Sequence, residues 1–238
     1  MALNKNSNAY TILYTVVMVV IVGALLATVA TVLKPKQDEN ILNEQKANIL
    51  KAFGDKSDVK EFDNIVEVGV LKDGKFEKRE AEEVFAMISN RKALAAADNE
   101  LPLFRYKPEF VKDGQQVYVL PLVGKGLWGD IWGYIALKYD EGKIVVAGIT
   151  MDHAGETPGL GAEIATEKWQ KKFVGKAVYD ENLGIALKMQ KGLSEAAAKN
   201  DPYKVDAITG GTKTCDGVNL MLETSIKKYN AFFNPGIK

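Results

Sequence analysis

Residues 10–33 read YTILYTVVMVVIVGALLATVATVL, a stretch of 24 residues without a charged side chain. As a helix it would be about 36 Å long, enough to cross the roughly 30 Å hydrocarbon core of a membrane. Tyr10 and Tyr14 stand near one end, where aromatic rings favour the interface, and the sequence Lys34-Pro35-Lys36 follows the other end. We therefore predict a tail at residues 1–9 and a transmembrane helix at residues 10–33, in contact with the lipid bilayer.

Two other interpretations of this stretch stay open. The small residues Ala27, Thr28 and Ala30 fit the cleavage region of a signal peptide, although the apolar part of a signal is usually only about 7 to 15 residues long. A buried core helix is the second alternative. No further stretch of this kind follows in the sequence, so a single-pass protein is our main prediction.

The charges around the apolar stretch do not decide on which side of the membrane the rest of the chain lies. Lys5 precedes the stretch, whereas Lys34, Lys36, Lys46 and Lys51 follow it. Counted literally, this excess favours a cytoplasmic domain, but long domains cross membranes largely regardless of charge. The residues leave the side open.

The composition excludes several classes of function. The chain has 31 Lys and Arg against 31 Asp and Glu, so nothing in its charge predicts a nucleic-acid partner. A single Cys rules out an intrachain disulfide, and one Cys with one His rules out the common multi-cysteine or multi-histidine metal sites. We predict neither a metal site nor catalytic side chains.

The chain beyond the apolar stretch has the pattern of a mixed domain. Helices are predicted at 37–53, 80–97, 163–173 and 218–233, and strands at 64–71, 116–123, 132–139 and 143–151. A turn is predicted at 72–75, and residues 140–142 are predicted to join two strands into a hairpin. We predict an α+β fold with a largely antiparallel sheet and flanking helices, divided into a juxtamembrane helix at 34–60 and one soluble domain at 61–238.

The first of three glycine-bearing stretches is GKGLWG at residues 124–129, between two predicted strands. Gly126 would let a ligand approach the backbone closely, and Leu127 and Trp128 could contact a planar ring. A tight hairpin turn with an apolar plug explains the same residues equally well. Trp132 and Tyr134, which follow, are predicted to be packing residues.

The second stretch is HAGETPGLG at residues 153–161, directly after a predicted strand. Its Pro-Gly turn before a helix start indicates an ordered loop. Glu156 and Thr157 could contact a ligand or satisfy backbone groups of the turn. His153 is a conceivable proton-transfer group, but a lone His near a strand end is more often structural.

The third stretch is DAITGGTKT at residues 206–214, before an amphipathic helical pattern. A Gly-Gly pair and hydroxyl residues ahead of a helix suit a phosphate, because free amides and the positive end of the helix dipole point at it. Lys213 adds a positive charge. The spacing is not that of a Walker A loop, and a plain helix start with Thr214 as the N-cap is the alternative.

Together, the apolar stretch, GKGLWG, HxxETPGLG and D-x-x-T-G-G-T-x-T resemble the C subunit of the sodium-translocating NADH:quinone oxidoreductase, over nearly the whole chain. In that family the soluble domain binds FMN, which a flavin transferase takes from FAD and joins through its phosphate to a threonine. The family pattern is D-x-x-[ST]-G-A-[ST]-x-[ST]. The resemblance implies that Thr212 carries the flavin, with Asp206, Thr209, Gly210 and Thr214 at matching positions, whereas Gly211 departs from the Ala of the pattern.

The resemblance also implies the surroundings of the flavin. The phosphate would lie at Gly210, Gly211 and Lys213, and the ring would be flanked by the other two stretches, with Gly126, Leu127, Trp128, Glu156, Thr157, Gly159 and Leu160 as the candidate residues. The chain would relay electrons within a multi-subunit complex of the bacterial inner membrane that couples NADH oxidation and quinone reduction to sodium translocation. Its domain would face the periplasm.

Two other functions remain at this point. The flavin subunit of an Rnf-type electron-transport complex uses the same attachment chemistry, and a membrane-anchored binding module without redox activity would use the glycines as turns only. The GKGLWG stretch has the GxGxxG spacing, but it leads into another predicted strand and not into a helix, so it is not the dinucleotide-binding fingerprint. NADH oxidation is therefore expected in another subunit, and no activity is expected of this chain alone.

Overall fold

The structure, a computed structural model, describes residues 7–111, 114–181 and 184–233. Helix α1 (Asn8–Phe53) contains the whole apolar stretch and continues through Pro35 into the polar sequence beyond it. None of its most apolar window is buried in the protein, and the mean hydropathy of that window is 2.8. The core-helix interpretation is therefore wrong, and the stretch is long and apolar enough to cross a membrane. Most of the predicted tail, residues 1–6, lies outside the described residues.

The chain forms two compact units that divide between Gln45 and Lys46. The first consists of the greater part of α1. The second begins with the last turns of α1, where Ile49, Leu50 and Ala52 are buried, so the predicted helix at 37–53 is the C-terminal part of α1.

The second unit is built around a six-stranded antiparallel sheet with the strand order β2-β1-β3-β4-β5-β6. Its elements in chain order are α2 (Phe62–Ile65), β1 (Val66–Lys72), β2 (Lys75–Lys78), α3 (Ala81–Ser89), α4 (Arg91–Ala96), β3 (Glu100–Tyr106), β4 (Val117–Lys125), β5 (Asp130–Asp140), β6 (Lys143–His153), α5 (Glu167–Gln170), β7 (Tyr179–Asp180), β8 (Gly184–Ile185), β9 (Lys188–Gln190), α6 (Glu195–Asn200), β10 (Lys204–Asp206), α7 (Thr212–Lys227) and α8 (Asn230–Phe233). Strands β7 and β8 form an antiparallel pair, and β9 and β10 a parallel pair. The predicted α+β fold with a largely antiparallel sheet is confirmed.

Both faces of the sheet are covered. On one face, Val218 and Met221 of α7 belong to the same buried cluster as Ile131 and Ile135 of β5. On the opposite face, Phe62 of α2 and Phe85 of α3 pack with Phe104 of β3, with ring centroids 5.7–6.5 Å apart. The sheet is thus a fixed platform between two apolar layers, and α7 is held against it.

Three predicted helices differ from the structure. The helix predicted at 80–97 is broken at Asn90, whose side chain accepts a hydrogen bond from Ala93 N at 3.1 Å and so starts α4 as a separate helix. The helix predicted at 163–173 is a series of short helical turns, interrupted where Thr166 is extended. The helix predicted at 218–233 begins earlier, at Thr212, and ends at Lys227 before the separate α8.

Strand β3 was not predicted. Its Pro102 argues against a central strand, yet β3 lies between β1 and β4. The ladder with β4 pairs only Phe104 and Arg105, so Pro102 lies outside it, where a missing N–H costs little. The carbonyl of Pro102 instead accepts a hydrogen bond from the Tyr229 hydroxyl at 2.7 Å.

Lys228 fastens the end of α7 to α4. Its ammonium donates to the carbonyls of Leu94, Ala95 and Ala97 at 3.0, 2.6 and 2.8 Å, and burial lowers the pKa of the ammonium. Replacing Lys228 by Met leaves these carbonyls without their donor. We expect the free energy of unfolding of the full chain in detergent to fall by about 1–3 kcal/mol. The neighbouring exposed Lys227→Met is the matched control, and equal stability of the two variants would contradict this role.

The only cysteine, Cys215, is buried in the first turns of α7, and burial raises the pKa of its thiol. Because the thiolate is the reactive form, we expect the folded chain to resist a thiol reagent at pH 8 and to react fully in guanidinium chloride. Asp216→Cys, on the exposed side of the same helix, should label rapidly in the folded state. Rapid labelling of the unaltered chain would show that α7 does not pack as described.

Candidate functional site

The buried carboxylate of Glu156 joins the three glycine-bearing stretches. Its side chain is only 4% exposed. Oε1 accepts a hydrogen bond from Trp128 N at 2.9 Å, and Oε2 accepts one from the Thr214 hydroxyl at 2.5 Å. The stretches are far apart in the sequence, but the structure brings them together around this one side chain.

Two glycines leave the room that this carboxylate occupies. A Cβ atom at Gly126 would lie 2.5 Å from Glu156 Oε1, and a Cβ atom at Gly161 would lie 2.5 Å from Oε2 and would overlap the Thr214 hydroxyl. Gly126 also forms the tip of the β4–β5 hairpin, where its N–H donates to Gly129 O at 2.8 Å. The hairpin of the alternative interpretation is present, but its apolar plug is not, because Leu127 and Trp128 are exposed. The same hairpin supplies one of the two donors to Glu156.

The second stretch turns back on itself before it reaches Gly161. Leu160 N and Ala162 N both donate to Thr157 O at 3.1 Å, which forms the turn predicted around Pro158 and Gly159. The side chains of Thr157 and Leu160 stay exposed. This stretch therefore offers one buried acid and a polar and an apolar side chain at the surface.

The third stretch is a tight turn that leads into α7. Gly211 N donates to Ile208 O at 3.0 Å, and Gly210, with φ +76°, has the left-handed conformation that the turn requires. Helix α7 starts at Thr212 after Gly211, and no side chain caps it. The N–H groups of its first turn have no helical acceptor, so this end of α7 suits an anion.

Thr214 is not the N-cap that the alternative interpretation assigned to it. It lies inside the first turn of α7, is 2% exposed, and uses its hydroxyl as the donor to Glu156. Thr212, at the first helical position, is half-buried, and Thr209, in the turn, is exposed. The three hydroxyls of the stretch thus have three different environments.

The departure from the family pattern at Gly211 has a local explanation. A Cβ atom there would lie 3.1 Å from Ile208 Cγ2, so an alanine requires a small shift of Ile208. Gly217, which the sequence analysis did not single out, lies against the carbonyl of Lys125 and lets α7 pack closely on the end of β4. It directly precedes the helix predicted at 218–233, so no local pattern indicated that it lies inside α7.

Two predicted site residues are directed elsewhere. Asp206 ends β10, and its carboxylate accepts a hydrogen bond from Lys172 Nζ at 2.7 Å. The ammonium of Lys213 is exposed and lies 3.9 Å from the carboxylate of Asp216. Neither side chain joins the contacts around Glu156, and the N–H groups at the start of α7 supply positive character beside Thr212.

Three apolar side chains are exposed on these stretches. Leu127, Trp128 and Leu160 are 54%, 69% and 40% exposed. Leu160 lies against the turn at 208–211, since a Cβ atom at Gly210 would be 2.7 Å from its Cδ2. Exposed apolar groups of this size around a helix N-terminus are suited to the face of a planar, phosphorylated ligand.

The remaining polar residues of the region have structural contacts. His153 Nδ1 accepts a hydrogen bond from Glu156 N at 3.1 Å, which fixes the start of the loop. The guanidinium of Arg91 stacks 3.5 Å from the centre of the Trp132 ring, and Tyr134 is buried, so both aromatic residues pack as predicted. Within residues 7–111, 114–181 and 184–233, no group of three His, Cys, Asp or Glu side chains could hold a metal ion.

Comparison with known proteins agrees with this geometry. Residues 126–227 match the family described as FMN-binding domain, a range that begins at the hairpin tip and ends with α7. All three glycine-bearing stretches lie within it or overlap its start.

The chain is also similar to proteins over most of its length. It is 32% identical to the C subunit of the Na(+)-translocating NADH-quinone reductase of Haemophilus ducreyi, over 91% of this chain and 88% of that protein. The same subunit from Pseudomonas aeruginosa is 31% identical, over 96% of each chain. The crystal structure of the same subunit from Parabacteroides distasonis superimposes with a TM-score of 0.68 at 30% identity, over 85% of this chain and 97% of that one. The chain therefore belongs to the family formed by the C subunits of the Na(+)-translocating NADH-quinone reductase.

Proposed function

We propose that this chain is the flavin-bearing electron-relay subunit of a membrane complex that couples NADH oxidation and quinone reduction to sodium translocation, with FMN joined through a phosphoester to Thr212. Family membership and the match to the FMN-binding domain support the flavin and the complex. The position of Thr212 supports the covalent bond.

The observation that carries the proposal is the start of α7 at Thr212. A phosphate on the Thr212 hydroxyl would lie beside the free N–H groups of the first helical turn and at the positive end of the helix dipole. Of the other hydroxyls in the stretch, that of Thr214 is engaged with Glu156 and that of Thr209 lies outside the helix. Thr212 alone combines access with the helix N-terminus.

The chain's own residues would bind and orient the flavin, which supplies the one- and two-electron redox chemistry. Leu127, Trp128 and Leu160 offer apolar surface for the ring, and Thr157 offers a hydroxyl. The buried side chain of Glu156 would hold the hairpin tip against α7. The flavin ring, tethered at Thr212, would lie on the surface that these exposed side chains form.

The same proposal explains what the chain lacks. The GxGxxG spacing of GKGLWG joins β4 to β5 and does not open a helix, so it is not a dinucleotide-binding fingerprint. Hydride transfer from NADH therefore belongs to another subunit, and this chain is not active alone. Maturation requires a flavin transferase that uses FAD. Both partners follow from the proposed role.

We further propose that α1 crosses the bacterial inner membrane once and that the flavin domain faces the periplasm. The length and exposure of the apolar stretch support the crossing. The side is inferred from the resemblance, because the lysines on both flanks leave it open.

Replacing Thr212 by Ala should abolish covalent flavin, because the phosphoester oxygen is removed. The full chain is co-expressed with its flavin transferase, and flavin fluorescence of the band on a denaturing gel is measured together with the mass of the peptide that contains residue 212. Thr212→Ser should retain the flavin, and Thr224→Ala, which removes an exposed hydroxyl further along α7, should be unaffected. Flavin that survives denaturation in Thr212→Ala would refute the acceptor.

The orientation is tested with reporters fused behind the last residue of the chain. Alkaline phosphatase, which folds only in the periplasm, should be active, and a fluorescent protein that matures only in the cytoplasm should stay dark. Deleting residues 10–33 should reverse both readouts, since the apolar stretch is then missing. A fluorescent cytoplasmic fusion of the intact chain would overturn the proposed side.

A further inference from the structure

The attachment stretch contains three threonines, and only one of them is to receive the flavin. Thr209, Thr212 and Thr214 lie within six residues of one another, and Thr212 and Thr214 share the first turn of α7. A transferase that recognises the stretch as a whole meets more than one hydroxyl. The fold of this chain must therefore also decide which of the three hydroxyls receives the flavin.

Glu156 is fixed where it can make that selection. Its carboxylate is held from both sides, by Trp128 N at 2.9 Å and by the Thr214 hydroxyl at 2.5 Å, and its own N–H is bound to His153 Nδ1. Gly126 and Gly161 lie against its two oxygens, where a Cβ atom on either glycine would be 2.5 Å from the carboxylate. Hydrogen bonds from a hydroxyl to an ionised carboxylate are short and strong.

The hydrogen bond to Glu156 prevents Thr214 from receiving the flavin phosphate. A carboxylate that accepts a hydroxyl proton can activate the oxygen as a nucleophile, but Thr214 is only 2% exposed, so a phosphoryl group cannot reach it. A phosphate there would also lie next to the negative carboxylate in a buried place, which is strongly unfavourable. Burial and charge act in the same direction.

The same contact orients the first turn of α7. Residues two apart in a helix point about 200° apart around its axis, so holding Thr214 inward turns Thr212 away from the buried carboxylate. This agrees with the half-buried state of Thr212. The hairpin tip, through Trp128 N, is fixed by the same group.

We propose that Glu156 is the positioning residue that directs flavin attachment to Thr212, by holding Thr214 as an internal donor and α7 in the required rotation. The inference rests on the proposed attachment of FMN at Thr212. In the transfer, the Thr212 oxygen bonds to the phosphorus of the FMN half of FAD, the pyrophosphate P–O bond breaks, AMP leaves with its electron pair, and the hydroxyl proton is released. Glu156 takes no part in these bonds.

The test measures attachment site by site. Full-length chains are co-expressed with a limiting amount of flavin transferase, and flavin on the peptides that contain Thr209, Thr212 and Thr214 is quantified by mass spectrometry. We expect Glu156→Ala to lower the occupancy of Thr212 at least five-fold, with any remaining flavin spread over the other hydroxyls. Unchanged occupancy at Thr212 alone would overturn the proposal.

Two further variants separate the effect of the Glu156–Thr214 hydrogen bond from the effect of the charge of Glu156 and from any effect of misfolding. Glu156→Gln can still accept from Trp128 N and donate to the Thr214 hydroxyl, so it should restore most of the Thr212 occupancy. Thr214→Val breaks the same contact without changing the size of the side chain, and should lower the occupancy several-fold even where Glu156→Ala does not fold. The double variant should be no worse than Glu156→Ala, because the two changes remove one contact; effects that multiply would overturn the proposal.

Hydrogen exchange supplies a readout that general destabilisation would not reproduce. The amide of Trp128 should lose protection in Glu156→Ala and keep it in Thr214→Val, while the amide of Ile135 in the sheet stays protected in both. The results with Thr212→Ala distinguish a failure of the proposed attachment at Thr212 from a failure of the proposed role of Glu156. Flavin retained in Thr212→Ala refutes the attachment site, whereas flavin lost there but unchanged in Glu156→Ala refutes only the role of Glu156.

Discussion

The structure of the region where the three glycine-bearing stretches meet depends on one buried carboxylate, that of Glu156. An unpaired charge in this position would cost on the order of several kcal/mol, so it is stable only while its partners stay in place. Trp128 N and the Thr214 hydroxyl are those partners, and the nearby N-terminus of α7 adds a favourable dipole. A hairpin tip, a loop and a helix that belong to separate parts of the chain are therefore held as one unit by this chain's own side chains and backbone.

This arrangement is possible because the sheet beneath it is rigid. Strands β4, β5 and β6 pair along most of their lengths. The first stretch joins β4 to β5 and the second follows β6, while α7 packs on the platform through Val218 and Met221. Gly217 then lets the helix approach the end of β4. The position of Thr212 is thus set by core packing at one end of α7 and by the Glu156 contact at the other.

Local patterns made much of this predictable. The uncharged run at 10–33, the strands at 116–123 and 132–139 and the hairpin at 140–142 each depend on neighbouring residues, and each is found in the structure. Pairings between distant residues could not be predicted in this way. Glu156 and Thr214 were each singled out, but nothing in the sequence indicates that they bind each other. Likewise, no local pattern pairs Asp206 with Lys172. Pro102 argues against a strand at 100–106, and β3 becomes favourable only through its pairing with β1.

The exposure of the site gives a physical reason for the covalent tether that we propose. Trp128 and Leu127 are more than half exposed, and the ammonium of Lys213 is directed to Asp216, so non-covalent binding of a flavin would rest on a shallow apolar surface and a helix N-terminus. Such contacts orient a ligand better than they retain it. The proposed bond at Thr212 would make the local concentration of the ring high without enclosing it, and an open ring could exchange electrons with a partner. The one His and the one Cys, which could have offered competing chemistry, are both engaged in the fold.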